Sequence, residues 1–199
     1  MAKIGLLGGT FDPVHYAHLF MGQLCLDSLG LEKVIFIPVG VAPHKSVVAT
    51  DALRRYEMIK LAVAGNARFE ASDYETKKPT PSYSVETVEH FNALYPDDEL
   101  VFIFGEDSLD YVERWYRAAD LLRLCSFAVI GRGGFTSDIE RKIAFLKERF
   151  GAVVYYVHSP ELEISSGIIR DMIREGKSAR YLLPDPVLAF INEHGMYRE

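Results

Sequence analysis

G-G-T-F-D-P-V-H-Y-A-H, running from Gly8 to His18, follows directly on an apolar run carrying Ile4, Leu6 and Leu7. Such a stretch reads as a strand handing over to a helix through a glycine turn. The first amide N–H groups of a helix have no intrahelical acceptor, and with the helix dipole they make a site for anions. Gly8 and Gly9 carry no Cβ and let a ligand come close to the backbone. Asp12 is expected to cap the turn and Pro13 to occupy a first helical position. On a helix starting here, His15 and His18 fall three residues apart on one face, both near the positive end of the dipole. Two imidazoles so placed can donate hydrogen bonds to a phosphate. The plainer alternative is a strand-to-helix turn whose histidines only satisfy local polar groups.

A second segment, I-S-S-G-I-I-R from Ile164 to Arg170, has similar chemistry. Ser165 or Ser166 is suited to an N-cap, Ile169, Met172 and Ile173 recur at helical spacing, and Gly176 is suited to the C-terminal stop. Arg170, one turn in, carries a planar fork that matches phosphate oxygens. Taken alone, the segment is equally an ordinary capped surface helix.

Together the two segments resemble the His-x-x-His nucleotidyltransferase superfamily, whose members also carry an I-S-S-T-x-x-R motif near the end. Within it the chain is similar to the bacterial nicotinate mononucleotide adenylyltransferases of NAD synthesis. The resemblance extends to A-P-H-K at Ala42 to Lys45, P-S-Y-S-V-E-T at Pro81 to Thr87, G-E-D at Gly105 to Asp107 and Y-V-E-R-W-Y at Tyr111 to Tyr116. Two positions depart from the family pattern. Ala17 stands where Gly is usual between the histidines, which favours helix and implies a tighter pocket. Gly167 stands where Thr is usual, which removes a hydroxyl from the expected phosphate site.

Composition narrows the classes. With 199 residues, 49% of them hydrophobic, the chain can bury a good-sized core, and one domain over 1–199 is expected, which the resemblance implies is a nucleotidyltransferase domain, helical from about Ser165 onward. A net charge of −6 without a long basic run argues against nucleic acid or an anionic membrane as partner. Only Cys25 and Cys125 are present, each in an apolar stretch, so neither a disulfide framework nor a thiolate metal site is indicated. Neither a secretory signal pattern nor an apolar run of bilayer length is found, which leads to the expectation of a cytosolic protein. The oligomeric state stays open, a homo-oligomer being admissible.

Short apolar runs alternate with helical patterns. Strands are expected at Lys3 to Leu7, Lys33 to Val39, Arg68 to Ser72, Leu100 to Phe104, Phe127 to Gly131 and Val153 to Val157. Helices are expected at Leu19 to Leu29, Leu53 to Ala64 and Ser84 to Tyr95, with a last one opened by Asp185 and Pro186 and closed by Gly195. This order implies an α/β fold, a Rossmann-like doubly wound parallel sheet with helices on both faces. Ligands then collect beyond the carboxyl ends of the strands, at the switch point of the strand order.

The resemblance implies transfer of the adenylyl group of ATP to nicotinate mononucleotide, with release of pyrophosphate. It implies His15, His18 and Arg170 as catalytic residues, with His18 nearest the transferring phosphoryl group. Gly8, Gly9, Thr10 and Phe11 through their backbone, and Ser165 and Ser166, would bind ATP phosphates, with Gly105 and Asp107 at the adenosine end. The mononucleotide would meet Lys45, Ser84, Thr87, Tyr111 and Trp115. The last two lie four apart and would share one face of a helix, available to stack on the pyridine ring or to pack in the core. Nearby phosphates would favour imidazolium at the two histidines. Mg²⁺ is expected on the ATP phosphates, because no carboxylate cluster suited to hold it lies near these motifs. A related adenylyl- or cytidylyltransferase with another phosphorylated acceptor, or a non-catalytic nucleotide sensor, are the rival readings.

Overall fold

The apolar runs are strands, and the central ones are buried on both sides. The elements, taken from a computed structural model that describes residues 1–42, 50–131 and 135–198, are β1 (Lys3–Gly9), α1 (Tyr16–Leu29), β2 (Lys33–Pro38), α2 (Ala52–Val63), β3 (Phe69–Ala71), α3 (Ser84–Leu94), β4 (Glu99–Gly105), α4 (Ala118–Leu124), β5 (Ser126–Gly131), α5 (Ser137–Phe150), β6 (Val154–His158), α6 (Ser166–Arg174) and α7 (Asp185–Glu193). Two 3₁₀ turns, Glu106–Asp110 and Val112–Arg114, follow β4. The six strands are all parallel, in the order β3-β2-β1-β4-β5-β6. The strand order reverses between β1 and β4, so the crevice at their carboxyl ends is the switch point.

Period-two alternation sorts the core. Ile4 and Leu6 point to one side with Val88 of α3, Leu121 of α4 and Leu146 of α5. Leu7 points to the other with Leu26 of α1, Ile59 of α2, Ile169 of α6 and Ile191 of α7. Each face is therefore covered by helices, which explains why the strands read as continuous apolar runs. Among the described residues no helix is long and apolar enough to cross a membrane.

Local details differ from the sequence expectation in ways that matter for the site. β1 runs on to Gly9, pairing Gly8 with Ile37 and Gly9 with Pro38, so both glycines end a strand instead of forming the turn. A Cβ on Gly9 would lie 3.0 Å from the Phe11 ring, which folds back over it from a left-handed backbone position at φ 51°. Neither Asp12 nor Pro13 opens the helix. His15, extended at φ −146°, is the N-cap of α1, and the preceding Asp12–Pro13 peptide is cis. Asp12 cannot serve as cap because Tyr197 takes its carboxylate and Arg170 its carbonyl. At the far end, Pro184 is the N-cap of α7, with Asp185 and Pro186 inside the first turn.

Candidate active site

The loop from Thr10 to His15 joins β1 to α1, and donors from distant elements hold its carbonyls toward the body of the protein. Arg55 of α2 donates to the Thr10 carbonyl at 2.7 Å, Arg170 of α6 to Asp12 at 2.6 Å, and the Ser166 hydroxyl to Pro13 at 2.8 Å. A trans peptide places each N–H opposite its carbonyl, so fixing the Thr10 carbonyl aims the Phe11 N–H the other way, and fixing the Pro13 carbonyl does the same for Val14. The Phe11 and Val14 N–H groups are thus directed away from these donors. The histidine motif and the serine–arginine motif, more than 150 positions apart at Asp12 and Arg170, are in direct contact.

The two imidazoles stack, with ring centroids 3.7 Å apart and planes inclined by 22°. Phe11 meets His18 edge-on at 4.8 Å. The His15 N–H donates to His18 Nδ1 at 3.3 Å, which requires Nδ1 to be the acceptor and puts the proton of the neutral His18 ring on Nε2. His15 Nδ1 is buried and has no hydrogen-bond partner among the described residues. Burial holds His15 down to about 4, and burial together with its neighbour's charge pushes His18 well below the ordinary imidazole range. Burial therefore favours the neutral form of both rings in the free protein, whereas the imidazolium expected beside phosphate concerns the substrate-bound site.

This burial has a consequence for stability. An unfolded histidine protonates near 6.5 while folded His15 resists protonation to about 4, so the unfolded chain binds more protons throughout that interval. The unfolding free energy therefore decreases as pH falls from 6.5 to 4, the His15 shift alone contributing roughly 3 kcal/mol. Urea titrations across this range are expected to show that slope. His15→Asn is expected to reduce it, the remainder belonging to His18, and an unchanged slope in the variant would assign it elsewhere.

Beside the loop, a cleft of about 580 Å³ opens over the ends of β1, β2 and β4. Of the residues singled out from sequence, Gly8, Gly9, Thr10, Ser84, Tyr111 and Trp115 line it. Ser84 is the first residue of α3, whose N-cap is Tyr83, so its N–H and that of Val85 have no intrahelical acceptor. Trp115 packs against Phe102, nearly perpendicular, and Phe104, tilted, at centroid distances of 6.2 and 5.9 Å, and Tyr111 lies 6.4 Å away. The expected helix does not carry this pair. Tyr111 and Trp115 sit at the ends of the 3₁₀ turn Val112–Arg114, which the fully buried Val112 anchors in the core.

Other residues are placed differently. Thr87 is 1% exposed and donates its hydroxyl to the Glu75 carboxylate at 2.6 Å, so it faces inward beneath the cleft wall. Ser165 is the N-cap of α6, its oxygen accepting from the Ile168 N–H at 3.2 Å. Ser166 and Arg170 hold the loop as described. Gly105 borders a small second cavity with Ala17, Phe20 and Ile130, while Asp107 is exposed on the first 3₁₀ turn. Lys45 lies outside the described residues.

Four residues were not singled out from the sequence. Glu75 lines the cleft as a buried carboxylate, pushed up by burial and steadied by Thr87. Tyr83 and Tyr116 line it as a pair of rings 4.4 Å apart. Arg55, 1% exposed, donates to the carbonyls of Thr50, Thr10, Val39 and Gly40, tying the ends of β1 and β2 together. For Tyr83 and Tyr116 the signal was present, since both belong to the quoted motifs. Arg55 sits in L-R-R-Y, where a basic residue reads as solvent-facing.

Comparison with known proteins bears on what this site does. Residues 6–172 match the cytidylyltransferase-like family. A protein of Clostridium kluyveri named as a probable nicotinate-nucleotide adenylyltransferase is 37% identical over 203 residues, covering all of both chains. A protein of the same name from Geobacillus thermodenitrificans is 38% identical over 198 residues, covering 99% of this chain and 87% of its own. Among solved structures, the Plasmodium falciparum nicotinic acid mononucleotide adenylyltransferase complexed with NaAD superposes with a TM-score of 0.80 at 19% identity, covering 99% of this chain and 98% of that one. At that identity it speaks for the fold.

Proposed function

Because this chain belongs to the cytidylyltransferase-like family, and along its whole length to the nicotinate-nucleotide adenylyltransferases within it, we propose that it transfers the adenylyl group of ATP to nicotinate mononucleotide, giving nicotinate adenine dinucleotide and pyrophosphate. The observation that carries this reading is the contact of α6 with the β1–α1 loop through Ser166 and Arg170, which builds one polyanion cradle from both motifs.

The acceptor is a phosphate monoester, mostly dianionic at neutral pH because its second pKa lies near 6. It needs no general base. One of its oxygens bonds to the α-phosphorus of ATP as the bond to the pyrophosphate oxygen breaks, and the leaving group takes that electron pair. The protein supplies alignment and donors for the charge that spreads over the phosphoryl oxygens. His18 presents Nε2–H to the α-phosphoryl group, with its orientation fixed at Nδ1 by the His15 N–H. His15 and the N–H groups of the Thr10 to Val14 loop face the remaining phosphates. Arg170 holds that loop and brings its positive charge to it. Ser165 lies at the same helix end.

Among the described residues no group of three His, Cys, Asp or Glu side chains is disposed to hold a metal. A divalent cation, Mg²⁺ in our reading, would be held by the ATP phosphates and would offset their charge. Gly105, Asp107 and the small cavity beside Ala17 receive the adenosine end, where the Ala17 methyl narrows the space.

The pyridine ring lies in the larger cleft against Trp115 and Tyr111. Its carboxylate meets the free N–H groups at the start of α3, where the helix dipole favours an anion over a neutral amide. Thr87 acts there through Glu75. Trp115→Ala is expected to raise the KM for the mononucleotide about tenfold, the scale of one lost base–aromatic stack, and to leave the KM for ATP within about twofold. Steady-state kinetics with each substrate varied checks this. An effect confined to ATP would show the two ends of the site to be reversed.

A panel of phosphorylated acceptors tests the function itself. With ATP and a divalent cation, nicotinate mononucleotide is expected to give stoichiometric pyrophosphate and dinucleotide, and nicotinamide mononucleotide, phosphopantetheine and flavin mononucleotide far less. Faster turnover with one of the others would replace the substrate. ATP binding with no turnover on any would make the chain a nucleotide sensor.

A further inference from the structure

The β1–α1 loop has one more partner, and it comes from the end of the chain. After α7, Gly195 (φ 60°) turns the backbone, the Met196 N–H bonds the Ile191 carbonyl at 3.0 Å, and Tyr197 itself adopts φ 62°. A left-handed conformation is uncommon for a tyrosine and holds only where surrounding contacts impose it. Here the result is that the Tyr197 hydroxyl donates to Asp12 Oδ1 at 2.6 Å. Asp12 is 4% exposed. It lies between Thr10, held by Arg55, and Pro13, held by Ser166, and its own carbonyl is held by Arg170. A buried carboxylate so close to the polyphosphate site would repel ATP and draw its own loop out of place unless it is oriented and neutralised.

We propose that Tyr197 is a positioning residue for adenylyl transfer: its hydroxyl fixes the Asp12 carboxylate, and so sets the loop whose N–H groups and following histidines face the phosphates. The inference rests on the reading of the cradle given above. Burial and the hydrogen bond to Asp12 both raise the phenol's pKa, which keeps its proton on the oxygen as a donor at working pH. Arg170 and Arg55 supply positive charge nearby, so hydroxyl, carboxylate and the two guanidinium groups form one network beneath the loop.

Tyr197→Phe in the full-length chain keeps the ring and removes only the donor. The expected result is a fall of roughly tenfold in kcat and a similar loss of affinity for α,β-methylene-ATP by calorimetry, the scale of one hydrogen bond to a charged group. The KM for nicotinate mononucleotide should stay within about twofold, a split that plain destabilisation would not produce. On an Asp12→Asn background the same change should add little, because the pair acts together. Unchanged kcat and unchanged analogue affinity in Tyr197→Phe would overturn the proposal, as would full additivity with Asp12→Asn. Should the unaltered protein bind the analogue without turning over, the transferase reading fails and Tyr197 is judged on analogue affinity alone. Should it neither bind nor turn over, both fall.

Discussion

His18→Ala is expected to lower turnover at saturating substrates by a factor of roughly 10² to 10³, the loss that follows removal of one preorganised donor to developing oxyanion charge. The side chain makes this case on three counts. Its Nδ1 is occupied by the His15 N–H, so its free donor is Nε2. It is stacked on His15 and braced by Phe11, so its direction is set before substrate arrives. It is held neutral by burial, so it donates without adding a charge that the ground state would bind equally well. Removing the ring also takes away an acceptor from the first turn of α1, at a cost of about 1 kcal/mol, or roughly 2–4 °C in Tm. A small stability change beside a large loss of kcat is therefore the expected pattern. Turnover within twofold of the unaltered protein would remove His18 from the chemistry.

Arg55→Ala is expected to be the most destabilising single change among the residues discussed, at about 4 kcal/mol or more. The guanidinium is 1% exposed and donates to four carbonyls, those of Thr50, Thr10, Val39 and Gly40. Truncation takes a donor from each of these carbonyls and opens a cavity where the long side chain lay. Burial disfavours its charge, and the field of Asp12 compensates first among the nearby groups, so the arginine and the loop carboxylate depend on each other. For a chain of this length such a loss corresponds to a Tm lower by about 8–16 °C. Lysine is expected to recover little, since one ammonium cannot replace a planar fork that reaches three elements. Calorimetric melting of the alanine and lysine variants checks both statements. A Tm within about 3 °C of the unaltered protein would show that water satisfies these carbonyls and that Arg55 does not set the loop.

Much of the fold was legible because its signals are local. Apolar runs such as Val34 to Ile37 and Val101 to Phe104 are buried on both faces, and a run with no polar alternation between helical patterns is what a covered parallel sheet requires. α5 was also within reach. Thr136 caps it, Ile139, Ile143 and Leu146 recur at helical spacing, and Gly151 at φ 73° ends it. The start of α1 was not, since Asp12 and Pro13 carry the chemistry of a cap. What redirects Asp12 is Tyr197, 185 positions away, and no local pattern reports that pairing.

The site divides along the same line. His15, His18, Ser84 and Trp115 could be singled out because short motifs place them near element ends that face the crevice. Arg55, Glu75 and Tyr197 were not, because each works by closing a contact between segments remote in sequence. Thr87 shows the boundary within a single motif: it lies in P-S-Y-S-V-E-T as Ser84 does, yet three residues along a helix turn it inward to Glu75.

The central claim is that two remote motifs form one cradle for the phosphates of the reaction. A crystal structure of this protein with nicotinate adenine dinucleotide bound tests it most directly. The account predicts a phosphate oxygen within hydrogen-bonding distance of His18 Nε2, the dinucleotide phosphates against the Thr10 to Val14 loop and the start of α6, and the pyridine ring on Trp115. A dinucleotide bound with its phosphates away from both histidines and from Arg170 would contradict it.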